Sequence, residues 1–122
     1  MAFGKMLAGV LLVSLAVPAT AQTADQDTLQ TTYNLSFKCY VANQVASGDS
    51  RYNADGSHTD TFARGRDNAY RVIWQLGRAL GRSDALIEED FSSYERMYRA
   101  RFGRDDAYFQ RARSDCQRIG LM

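Results

Sequence analysis

Three glycines, Gly48, Gly81 and Gly103, cut the chain beyond residue 27 into four stretches, and in each the apolar residues recur every three or four positions. That is the period of an amphipathic helix, and no stretch alternates as a strand would. The first runs from about Thr28 to Ser47, with Tyr33, Phe37, Tyr40 and Gln44 on one stripe and Leu35, Cys39 and Ala42 on the adjoining face. Asp27 can serve as its N-cap, with Gln30 three residues on, and Gly48 can take the left-handed conformation that closes many helices. The second, about Thr59 to Leu80, carries Phe62, Ala69, Ile73, Leu76 and Leu80, and Gly81 ends it. Ser83 can cap a third helix whose Ile87, Phe91, Tyr94, Tyr98 and Phe102 form one stripe up to Gly103. Asp105 can cap a fourth, with Phe109, Ala112, Cys116 and Ile119 on one face. The connections at 81–83 and 103–105 are so short that consecutive helices must turn back on each other, so the expected fold is an all-α, antiparallel four-helix bundle. In a domain this small the aromatic stripes are core. Trp74 and Tyr70 fall beside the Phe62 stripe and are expected to be partly exposed.

Ahead of this pattern lies a leader. Lys5 precedes an apolar run from Met6 to Val17, and Pro18-Ala19-Thr20-Ala21 follows with small residues where a signal peptidase cuts. The run is shorter than the roughly 20 residues a membrane span needs, so no span is expected. The expected organisation is a signal peptide over 1–21 and one helical domain over 22–122, delivered to the periplasm or secreted. Neither cysteine stands at the cut, which excludes lipid attachment there. The whole chain has 15 basic and 14 acidic residues, and loss of Lys5 with the leader leaves the charges balanced. A neutral exported domain has no global field to recruit nucleic acid, so no nucleic-acid partner is expected.

Export also decides how Cys39 and Cys116 are read. They lie in the first and last helices, which are neighbours in a four-helix bundle, and both are at inward positions in a chain bound for an oxidising compartment. They are expected to form a disulfide. Neither belongs to a Cys-x-x-Cys motif, so redox chemistry has little support.

The one long polar connection runs from Gly48 to His58. Its Asn53-Ala54-Asp55-Gly56 resembles part of a calcium loop, but Arg51 stands at the first ligand position and Phe62 at the last, so turn formation is the better account. His58 is the single histidine, and nothing in the pattern holds a base or nucleophile against it. One histidine with scattered carboxylates falls short of a zinc ligand set, and no metal or cofactor is expected. Asp84, Glu88, Glu89 and Asp90 open the third helix and oppose its positive end; Arg96, Arg99, Arg101 and Arg104 do the converse near its other end.

The cysteine within Lys38-Cys39-Tyr40-Val41-Ala42, the all-helical middle and the second cysteine within Ser114-Asp115-Cys116-Gln117 resemble, as an architecture, the short periplasmic helical proteins of Gram-negative bacteria. Among these are the immunity proteins that neutralise type VI secretion amidase effectors. The resemblance carries across only Cys39 and Cys116, as a disulfide, and no effector-binding motif. The stapled bundle, the lack of a catalytic set and the one long loop carrying Tyr52 and His58 make the expected function non-enzymatic binding of another envelope or secreted protein, as an inhibitor, immunity protein or accessory factor. Tyr52 and His58 are expected to supply exposed contact groups, extended by Trp74 or Arg99. The alternative is an envelope enzyme or anion binder that uses the acidic cluster or the arginines of the third helix. An acid-stress chaperone also fits the compartment, but the charge balance supplies no trigger.

Overall fold

The computed structural model describes residues 19–122, with side chains from 25 onward. The expected leader over 1–21 falls almost wholly outside the described residues. The described chain is a helical bundle: α1 (Ala19–Ser47), a single turn α2 (Ser50–Asn53), α3 (Thr59–Ala79), α4 (Asp84–Arg104) and α5 (Asp106–Arg118). No strand occurs among the described residues.

The helix ends follow from local chemistry. Ser83 Oγ accepts from the Leu86 N–H at the start of α4, and Asp105, in extended conformation, accepts from the Tyr108 N–H at the start of α5. Gly81 (φ +80°) closes α3: its N–H donates to Arg78 O, and the next N–H, of Arg82, reaches back to Gly77 O. Gly120 (φ +79°) closes α5 in the same way, with Leu121 N donating to Cys116 O. Both are the double-bonded ending that glycine permits.

Three sequence expectations change here. α1 begins at Ala19, so Asp27 is inside the helix and caps nothing; between Ala19 and Asp27 no glycine or proline interrupts it. Gly48 is not left-handed. The chain leaves α1 through tight bonds from Gly48 N to Val45 O and from Asp49 N to Ala46 O, and Asp49 then caps α2. Ile119 is 41 % exposed, because α5 stops at Arg118 and the reversal at Gly120 turns Leu121 into the core instead.

Helix α1 is the hub. Its Tyr33, Phe37, Cys39, Val41, Ala42, Asn43 and Ala46 are all buried, and α3, α4 and α5 each pack on it. α3 lies closest, along a row with Gly65, Ala69, Ile73 and Gly77 spaced four apart, every one buried. A Cβ at Gly77 would lie 2.6 Å from Ile87 Cδ1 and 3.1 Å from Tyr33 Cε1; one at Gly65 would lie 2.4 Å from Asn43 Oδ1. The absence of a side chain at both positions is what lets α3 approach. α4 is laid on through aromatic contacts: Phe37 is 5.0 Å from Phe91 edge-on and 4.7 Å from Tyr94 in a stack, ring centre to ring centre. α5 is tied covalently, Cys39 to Cys116, with Cα atoms 5.5 Å apart, as expected. Asn43 finishes the assembly: its fully buried amide donates to Cys39 O and to Leu121 O, both at 2.8 Å, and so pins the chain's end to the hub.

The two glycine environments give opposite expectations for the same substitution. Gly77→Ala should destabilise by about 1–3 kcal/mol through overpacking. Gly103→Ala, helical and with open space where the Cβ would go, should stabilise by about 0.4–1 kcal/mol. Urea unfolding of the two variants checks this, and a Gly77→Ala protein as stable as the parent would mean that the α1–α3 approach is looser than described.

Candidate functional site

The connection from 48 to 58 is built, not slack. Asn53 Nδ2 donates to Ser47 O and to Thr59 Oγ1 at 2.9 Å, its Oδ1 accepts from the His58 N–H at 2.8 Å, and Asp55 Oδ1 accepts from the Ser57 N–H at 2.9 Å. The Ser57 N–H holds the Asp55 carboxyl below its ordinary pKa. Gly56 (φ +76°) completes the turn. The oxygens that resembled calcium ligands are thus used by the turn itself, and no group of three potential metal ligands occurs among the described residues.

Tyr52, on α2, departs from expectation. Its ring is half-buried against α5, 6.1 Å from the Phe109 ring, with the Arg113 guanidinium stacked 3.8 Å from its centre and its hydroxyl accepting from Gln110 Nε2. The sequence placed it in a loop and could not show that α5 would lie beside that loop. Truncating it therefore removes packing, and it is no neutral probe of binding. His58 is exposed at the start of α3, with its ring 6.4 Å from that of Phe62.

Together these segments form an open groove of about 440 Å³ whose walls include Arg51, Tyr52, His58, Phe62, Arg113 and Met122. Arg51 is held from both sides, by Asp49 at 2.7 Å and by Asp106 at 2.8 Å, so α2 is pinned to the start of α5. Met122 is there because Asn43 holds Leu121. Arg113 and Met122 were missed by sequence reasoning. Arg113 follows Phe109 by one turn, so its face was legible; Met122 depends on a long-range bond with no local signal.

Trp74 and Arg99 do not line this groove. Trp74 is partly buried beside Tyr70 and Phe91, with ring centres 6.3 and 6.2 Å away and Arg78 5.0 Å above it. Tyr70 is 45 % exposed, as expected for a residue beside the core stripe. Arg99 is on the surface of α4, 3.2 Å from Glu95 and donating to Gln44.

The acidic cluster separates rather than converges. Asp90 turns inward, where it accepts from the Tyr33 hydroxyl at 2.7 Å and from Arg82 Nη2 at 3.0 Å. Arg82 Nε is also 2.7 Å from Asp90, an ion-pair contact outside hydrogen-bond alignment. Glu88 and Glu89 are exposed, and Asp84 faces Arg78 at 3.7 Å. In comparison with known proteins, no family model, no curated protein and no solved structure matches the chain.

Burial, then the neighbouring Asp90 carboxylate, pushes the Tyr33 phenol well above its ordinary value, and burial pushes Tyr98 up to about 12. In the unfolded chain both phenols ionise near pH 10, so the unfolded state loses protons first as pH rises. The stability they confer is whole below about pH 10 and is lost on the way to the folded values. The urea midpoint should fall between about pH 10 and 12, and less steeply in Tyr98→Phe. Equal slopes in the two proteins would mean that Tyr98 is not shielded.

Proposed function

We propose that the chain is an exported, non-enzymatic domain that binds another envelope or secreted protein through the groove between α2, the start of α3 and α5. One observation carries this. Residues from three separate segments meet on a braced scaffold, and they are of the kinds that anchor interfaces: tyrosine and arginine over a buried apolar floor. The groove is open along its length, which suits a protruding segment of a partner better than an enclosed small substrate. The dispersal of Asp84, Glu88, Glu89 and Asp90 also favours binding over the acid–base alternative. The architecture resembles that of immunity proteins, so an inhibitory or immunity role is the partner class we favour. No helix among the described residues is long and apolar enough to cross a membrane.

Site-specific photo-crosslinking tests the proposal in the native host. A crosslinker at Thr61, an exposed residue of the groove wall, should capture one protein, and the adduct should be lost in the His58→Ala/Arg113→Ala variant while its thermal unfolding stays cooperative. An unchanged adduct in that variant, or none in the parent protein across growth conditions, would contradict it.

A further inference from the structure

A second concavity lies between α1 and α5, away from the groove, and its charge is one-sided. Lys38, the one lysine among the described residues, is half-buried midway along the hub helix. Its ammonium is 5.1 Å from the Tyr108 ring centre and 5.9 Å from that of Tyr98. Arg111 approaches the same Tyr108 ring at 5.9 Å and Arg101 at 4.0 Å. Among the described residues no carboxylate lies within ion-pair distance of Lys38 or Arg111, and the nearest to Arg101, Asp105, is at 4.0 Å. Three cations thus gather round one phenol in a protein with nearly equal numbers of basic and acidic residues overall. Lys38, Tyr108, Arg111 and Ser114 line a notch of about 190 Å³. Asp115 is its one acidic wall residue, with its charge engaged by Arg118 at 2.7 Å.

We infer that this notch binds a phosphate monoester group through Lys38, Arg111 and Ser114. The volume is that of about six waters at about 30 Å³ each, which accommodates a tetrahedral oxyanion whose carrier extends out of the open notch. An ammonium, a guanidinium and a hydroxyl offer donors from two helices, and a group with three terminal oxygens can use all three, whereas a carboxylate has two. Tyr108 supplies the wall that holds the cations in place without neutralising them. The inference does not rest on the protein-binding groove.

Calorimetric titration of the exported protein at constant ionic strength tests it, with glycerol 3-phosphate as probe and acetate as comparator. Saturable one-site binding of the phosphate, and at least tenfold weaker acetate, is expected. Lys38→Met and Arg111→Met, which keep the aliphatic stems, should each weaken the phosphate about tenfold, the worth of one charge-assisted hydrogen bond. Arg64→Met on α3 should leave it unchanged. Flotation with phosphatidic acid vesicles against phosphatidylcholine vesicles assigns the source: co-flotation lost in Lys38→Met means a lipid headgroup, and solution binding without co-flotation means a soluble ester. Absence of saturation, equal acetate affinity, or undiminished binding by both Met variants would overturn the inference.

Discussion

The close approach of α3 to α1 is the contact on which the remaining structure rests. It exists because Gly65 and Gly77 present no side chain to the amide of Asn43 and to the Tyr33 and Ile87 side chains. With α3 seated, α1 is covered on one side and its aromatic residues are left for α4. Ile87 of α4 is then fixed from two directions, by α1 and by the backbone of α3 at Gly77. Overpacking at such a seam moves a whole helix rather than one side chain, since protein interiors have little free volume to absorb it.

The far side of α1 is secured by different means. α5 is short, and polar along most of its outer face, so its packing alone would hold it weakly. The disulfide closes a sequence separation of 77 residues, and on the chain-entropy account such a link stabilises by about 4–5 kcal/mol. Asn43 adds the second tie, through Leu121. These two attachments also set the two proposed binding surfaces. One edge of α5 carries Arg113 towards Tyr52 and the groove, and the other carries Arg111 and Ser114 towards Lys38 and the notch proposed for phosphate. A residue that looks purely structural, Asn43, therefore decides where Met122 lies.

Where the fold was legible, local rules sufficed. Ser83 and Asp105 have the side chains that cap helices, Gly81 has the freedom to close one, and the stripe from Ile87 to Phe102 has the helical period; each is where the sequence puts it. Cys39 and Cys116 could be paired because they are the chain's two cysteines and lie in the first and last helices, which a bundle makes neighbours. What was not legible depends on distant contacts. Gly65 and Gly77 stand in one four-residue register with Ala69 and Ile73, and that register marks a close helix contact only once α1 is known to lie against it. Tyr52 read as an exposed loop residue because nothing near it in sequence announces Phe109 and Arg113. Ile119 fitted the periodicity of α5, but the glycine one residue later ended the helix and gave the inward position to Leu121.

Native-state hydrogen exchange tests the hub most directly. If α1 organises the bundle, its amides between Phe37 and Ala46 should exchange only through global unfolding, with the same free energy and the same urea dependence as the whole protein, while α2 and the outer turns of α4 open at lower cost. Exchange of that segment of α1 by a sub-global opening, with α3 and α4 still protected, would show that these helices hold together without it and would contradict the account.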